Sequence, residues 1–244
     1  MSKTLNRRDF IKTTTATTAG VATIASGITL TTFAVNANEN PVTPDKRWGM
    51  LIDTNKLTEA NIDGMVSACQ KEQGWGNEAH STGDQKASWI KKLKVKDKAT
   101  GKVTDLPLMC QHCEEPPCVD VCPTNASMKR DDGIVLVDRH LCIGCRYCMM
   151  ACPYDARSFV HEELTDQREH MPRGKGTVES CTLCVHKVDK GETPACVASV
   201  NSDAVIFGDL YDSTSNINKT LKKVQSAQIR ADLNLNTGVR YSGI

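Results

Sequence analysis

Eight of the twelve cysteines in this 244-residue chain fall between Cys110 and Cys152, in two runs that each close with Cys-Pro. The second run reads Cys142-Ile-Gly-Cys145-Arg-Tyr-Cys148-Met-Met-Ala-Cys152-Pro153. The first reads Cys110-Gln-His-Cys113-Glu-Glu-Pro-Pro-Cys118-Val-Asp-Val-Cys122-Pro123, the same form with two extra residues before its third cysteine. Such spacing leaves a chain little freedom. Three thiolates on one tight loop reach three iron corners of a cubane, while the next residues turn away as a helix, so the fourth thiolate is carried toward a neighbouring cluster.

The C-x2-C-x2-C-x3-C-P spacing is that of bacterial ferredoxins, in which the fourth cysteine ligates the other cluster of a pair. Crossing the two runs in this way assigns Cys110, Cys113, Cys118 and Cys152 to one 4Fe–4S cluster. It assigns Cys142, Cys145, Cys148 and Cys122 to a second. Three other chemistries use cysteines. A disulfide framework suits an exported chain, but does not call for repeated C-x2-C with Cys-Pro ends. Structural zinc uses paired C-x2-C, without three close cysteines plus a distant fourth. A c-type haem needs His after C-x-x-C, and none follows here.

The net charge of +1 carries no nucleic-acid signature, and 39% hydrophobic with 5% aromatic residues is thin for one core of this size. Clusters tying distant loops together are expected to supply part of the missing stabilisation, because metal binding is coupled to folding. At the N-terminus, Asn6-Arg7-Arg8-Asp9-Phe10-Ile11-Lys12 and the weakly apolar stretch to Val35 read as a twin-arginine signal over residues 1–37, with cleavage after Ala37. The competing reading is an uncleaved anchor, for which a stretch rich in Thr and Gly is poorly suited. That export route carries folded proteins, which suits cofactors inserted before export.

A linker over 38–46 precedes Trp48-Gly49-Met50-Leu51-Ile52-Asp53, a strand that echoes Gly133-Ile134-Val135-Leu136-Val137-Asp138 ahead of the second cysteine run. The echo predicts a third cysteine loop near residue 57, yet only Cys69 is present there, at the end of a short helix. The counterpart lies at Cys181-Thr-Leu-Cys184 and Cys196. Cys122-Pro-Thr-Asn-Ala126 and Cys152-Pro-Tyr-Asp-Ala156 have the form of Val200-Asn-Ser-Asp-Ala204, so Val200 stands in a cysteine slot. Under the crossing rule the missing thiols belong to one cluster. Cys69, Cys181, Cys184 and Cys196 then form a complete third set. Taken alone, Cys69 also reads as a buried free thiol.

Trp89–Val95 and Val103–Leu108 read as a hairpin, 165–176 as a polar loop, and 216–229 as a helix in a tail without ligands. His112 and His186 read as neighbours of filled clusters rather than ligands. Arg146 and Tyr147 lie between ligands, where a cation or N–H near sulfur favours the reduced state. Glu114 and Glu115 read as a solvated carboxylate pair.

Residues 47–210 resemble the four-motif iron–sulfur subunits of periplasmic membrane-bound oxidoreductases, those of polysulfide, tetrathionate and formate-dependent nitrite reduction. The likeness is carried by the two cysteine runs, Asp132-Gly-Ile-Val-Leu-Val-Asp138, and Cys181-Thr-Leu-Cys184 with Pro194-Ala-Cys196-Val197. Gly176–His186 and the ending Asn236–Ile244 are most similar to the iron–sulfur subunit of the dissimilatory-sulfite-reductase-linked membrane complex. The resemblance implies an α+β fold of tandem bacterial-ferredoxin-like (dicluster) repeats, with a hairpin insertion and a C-terminal extension over 211–244. It also implies a polysulfide-reductase-type integral membrane partner that interacts with quinone, and a periplasmic multihaem cytochrome c or other redox partner. Family members commonly hold four clusters, and this chain has thiols for three. The expected role is single-electron transfer without catalysis, at the membrane through a partner and without nucleic acid. The rival reading is a self-contained enzyme with substrate at an open iron.

Overall fold

A computed structural model describes residues 42–98, 100–165, 167–200 and 203–244, so the signal segment assigned to 1–37 lies outside the described residues. Strand β1 (Trp48–Asp53) is at the centre of a three-stranded sheet. It pairs antiparallel with β8 (Val205–Asp209), in the register Trp48↔Asp209 to Ile52↔Val205. On its other edge it runs parallel to β9 (Val239–Ser242), with Met50 opposite Val239. The C-terminal segment thus supplies a strand to the sheet that begins the iron–sulfur region. Its helix is shorter than the sequence predicts, Asn216–Leu221, and Ala227 instead bridges to Tyr241.

Three two-stranded sheets complete the β structure. β2 (Lys91–Lys96) and β3 (Val103–Leu108) form the predicted hairpin, in the register Lys91↔Leu108 to Lys96↔Val103. β4 (Ser127–Lys129) pairs with β5 (Val135–Val137), and β6 (Arg157–Phe159) with β7 (Val178–Ser180). Helices are short except α1 (Glu59–Gln73). The others near the cysteines are α2 (Pro117–Asp120), α3 (Tyr147–Ala151), α4 (Val185–Val188) and α5 (Ala195–Ala198). Among the described residues no helix is long and apolar enough to cross a membrane.

Helix α1 occupies the ground where the strand echo predicts a cysteine loop. Thr58 starts it with a capping box: its hydroxyl accepts from Asn61 N at 3.2 Å, and Asn61 Oδ1 accepts from Thr58 N at 3.0 Å. Gly74, left-handed at φ 71, ends it. Ile62 and Met65 on its inner face are fully buried, each contributing roughly 1.5–3 kcal/mol. Apolar packing thus stands where a metal loop is missing, and the helix lies against α5, which carries Cys196.

Candidate iron–sulfur ligand sites

The C-x2-C pairs that open the three cysteine segments share one backbone device. His112, Gly144 and Leu183, each the residue before the second cysteine of its pair, have φ of 45°, 73° and 54°. A left-handed residue there turns the loop back so that both thiols face the same space, and an L side chain adopts it only at a cost. Gly144 has a further reason. A Cβ there would lie 2.3 Å from the Gly176 carbonyl oxygen.

The Cys-Pro turns repeat just as closely. Asn125 and Asp155 are left-handed at φ 57° and 47°. Their N–H groups donate to the carbonyls of Cys122 and Cys152 at 3.4 and 3.3 Å, and a buried alanine then leads directly into β4 or β6. Asn and Asp tolerate this conformation better than most residues. In the third copy, buried Ala204 leads into β8 and Val200 is itself buried.

These turns bring thiols that are distant in sequence to common spaces. Cys110, Cys113, Cys118 and Cys152 line one space, together with Tyr154 and Arg157. Cys122, Cys142, Cys145 and Cys148 line another, together with Ile143, Arg146 and Val178. No cysteine of either set borders the other space. Cys69 lies within electrostatic reach of Cys181, Cys184 and Cys196, all four being buried. None of the twelve is joined in a disulfide.

Burial and the neighbouring thiols push the Cys69 and Cys110 thiols well up. Burial, with Cys118 beside it, takes Cys113 to about 12, and burial with Cys184 beside it does the same for Cys196. Burial also acts on Cys122, but N–H groups of Ser127, Thr124 and Ala126 outweigh it and hold that thiol low. Hydrogen-bond donors are already aimed at the sulfurs. Ser127 N reaches Cys122 Sγ at 3.3 Å, Val178 N reaches Cys142 Sγ at 3.4 Å, and Leu183 N reaches Cys181 Sγ at 3.4 Å. Side chains add Arg157 Nη2 on Cys118 at 3.0 Å, Trp75 Nε1 on Cys69 at 3.2 Å and Gln73 Nε2 on Cys184 at 3.3 Å. Four converging sulfurs with N–H donors around them fit a thiolate-bound, anionic metal cluster.

Sequence reasoning does not single out Arg157, Trp75 or Gln73. The one signal it holds is position: Arg157 directly follows Cys152-Pro-Tyr-Asp-Ala156. His112 is buried, and its Nδ1 accepts from Val135 N at 3.0 Å; burial, then Arg157, lowers its pKa to about 3, so the ring is neutral. Glu115 is exposed, whereas Glu114 is only partly so. It pairs with Arg47 at 2.6 Å and accepts from Asn236, tying the first cysteine run to β1 and the tail.

The 165–176 loop is also pinned. Arg173 is buried, joined to Glu179 at 2.8 Å and paired with Glu78. His186 Nε2 lies 2.7 Å from Glu72 Oε1, and His170 stacks on His186 at 3.9 Å with its Nε2 on the Glu72 carbonyl at 3.1 Å. The rings are inclined at 26°, each Nε2 is engaged by Glu72, and ligand atoms of Glu72, His170 and His186 lie within 4.8 Å of one another. That arrangement is a latch holding the loop to α1 and α4.

The 4Fe-4S dicluster domain family matches residues 101–210. Three relatives extend the likeness over most of the sequence. The Hdr-like menaquinol oxidoreductase iron-sulfur subunit 1 of Archaeoglobus fulgidus is 38% identical over 268 aligned positions, covering 98% of each protein. A tetrathionate reductase subunit of Salmonella typhimurium is 34% identical, over 91% of this chain and 81% of its own length. A polysulfide reductase component of Wolinella succinogenes is 35% identical, over 72% of this chain and 83% of its own length. The protein belongs to this family of iron–sulfur subunits of oxidoreductases, built on a 4Fe–4S dicluster domain. It is an electron carrier, not the subunit that transforms substrate.

Proposed function

We propose that the protein relays single electrons through three 4Fe–4S clusters, between a quinone-interacting membrane subunit and a second redox subunit in sulfur metabolism. The observation that carries this is the separation of the thiols into complete sets. Cys110, Cys113, Cys118 and Cys152 would hold the first cluster, Cys142, Cys145, Cys148 and Cys122 the second, and Cys69, Cys181, Cys184 and Cys196 the third. When bound, each cluster takes up and releases one electron.

The protein supplies placement, insulation and charge. Cys110 of the first set feels the charge of Cys181 in the third, and Cys118 of the first feels Cys148 in the second. These contacts of the first set with both of the others support a row in which it is the middle member. The repeated left-handed loops and Cys-Pro turns support the tandem bacterial-ferredoxin-like reading of the fold. Helix α1, with Ile62 and Met65, takes the place of the fourth cluster held by other members, so the row ends at the Cys69 set.

The menaquinol link of the archaeal relative and the sulfur substrates named for the tetrathionate and polysulfide relatives support the choice of partners. These are an integral membrane subunit of polysulfide-reductase type, and a multihaem cytochrome c or other redox subunit. The twin-arginine pattern at Arg7-Arg8 supports an exchange on the periplasmic side, with the membrane reached through the partner.

Anaerobically purified protein is expected to contain about twelve iron and twelve sulfide per chain. Cys69→Ala is expected to reduce both to about eight and remove one paramagnetic centre of the reduced protein. Iron near eight in the unaltered protein, or an unchanged spectrum in the variant, overturns the third cluster. A set binding substrate at an open iron, the enzyme alternative, shows instead as a centre whose spectrum changes when substrate is added.

A further inference from the structure

Arg157 is 2% exposed, at the first position of β6, where it pairs across to Ser180. A buried guanidinium costs several kcal/mol unless anions surround it. Every other deeply buried arginine side chain described above has carboxylates: Arg47 has Glu114, and Arg173 has Glu78 and Glu179. Arg157 has none among the described residues. Its Nη2 donates to Cys118 Sγ at 3.0 Å, and its Nη1 is buried without a hydrogen-bond partner. The charged groups that face it are Cys118 and Cys110 of the first set and Cys148 of the second.

Thiolates binding iron would put negative charge on both sides of this one positive charge.

Building on the ligand sets proposed above, we propose that Arg157 is a shared potential-setting residue: one buried cation between the first and second clusters that favours the reduced state of both. Reduction adds one electron to a cluster and no proton, so the reduced form carries one more negative charge. A fixed positive charge and an N–H donor at sulfur stabilise that form more than the oxidised one. The third cluster, on the far side of the first, lies outside this influence. Arg157 thereby keeps the first and second clusters matched to each other and raised relative to the Cys69 set. It acts through the ligands and is a positioning and electrostatic residue, not a redox group.

The test is a potentiometric titration of the full chain, followed by paramagnetic resonance, for the unaltered protein, Arg157→Gln and Arg157→Lys, each with its iron counted. In Arg157→Gln two of three midpoints are expected to move negative by a tenfold change in the reduction equilibrium, about 59 mV for a one-electron couple, the third staying in place. Arg157→Lys retains the charge without the planar fork, and is expected to move the same two centres by less. If Arg157→Gln does not assemble its clusters, Arg157→Lys decides alone. With iron at the unaltered level, unmoved midpoints, or an equal shift of all three, overturn the proposal. Fewer than three centres in the unaltered protein overturns the cluster count instead, a separate result.

Discussion

The two outer cysteine sets meet solvent in opposite ways. Around the Cys142 set, Cys145 is exposed and Cys122 and Cys142 are half-buried. The residues beside these ligands are apolar yet uncovered: Ile143 is 66% exposed, Met150 78% and Tyr147 53%. The Cys69 set is closed. All four thiols are buried, with Trp75 and Gln73 donating to two of the sulfurs and Ile62 and Met65 packed on α1 beyond Cys69. Electron transfer weakens with distance, so an open rim is built for exchange with another protein and a sealed set for holding charge away from water. Exposed large apolar groups gathered in one place mark interaction sites in general. An open face at the Cys142 set and a closed one at the Cys69 set make these two groups of thiols unequal.

The most forceful way to break this comparison is limited oxidation or chelation of the anaerobic protein. Iron is expected to fall first by about four per chain, with the centre of the Cys142 set disappearing while that of the Cys69 set persists. Loss of the Cys69 centre first would contradict the sealed and open ends. Complete iron removal is expected to lower the unfolding temperature, because metal binding is coupled to folding.

A smaller effect separates the two loops themselves. Gly144→Ala is expected to destabilise the Cys142 loop by at least about 1–3 kcal/mol, the cost of a strained backbone residue, and to lower its iron retention in thermal melts followed by iron release. The Cys181 loop carries Leu183 at the same left-handed slot, so conformation alone is tolerable. At Gly144 the collision with the Gly176 carbonyl decides. A melt unchanged by Gly144→Ala would show that this loop is looser than its geometry.

The smallest effect sharpens the sealed end. Trp75→Phe keeps most of the apolar packing and removes one N–H donor from Cys69. A net hydrogen bond is worth about 0.5–1.5 kcal/mol. The expected outcome is a negative shift of the third centre's midpoint alone, with the exposed centre unmoved. A shift at the exposed centre in place of the buried one reverses the assignment of ends.

Much of the site is legible in the residues because ligand spacing is a local property. Cys110 to Cys122 and Cys142 to Cys152 each carry three thiols on one loop, and the crossed fourth follows from a helical turn that reverses direction. The outer set is harder, since Cys69 is separated from Cys181 by more than a hundred residues. Counting thiols and aligning Val200 with a cysteine slot are enough to group it. Glu114, by contrast, reads as a solvated loop residue until Arg47 and Asn236 are brought to it from opposite ends of the sequence. The 165–176 loop reads as free polar chain until Arg173 reaches Glu78 and Glu179.

By itself the sequence showed that its sulfurs bind metal and supplied the grouping proposed for them, because the number and spacing of soft ligands restrict coordination without reference to the rest of the fold. Only the tertiary structure decided that β9 closes the sheet on β1, that α1 fills the ground of a missing loop, and that Arg157 lies between two sets without a carboxylate. Those are matters of burial and of long-range pairing. A cation's meaning depends on which charges share its low-dielectric surroundings, and no local spacing records that.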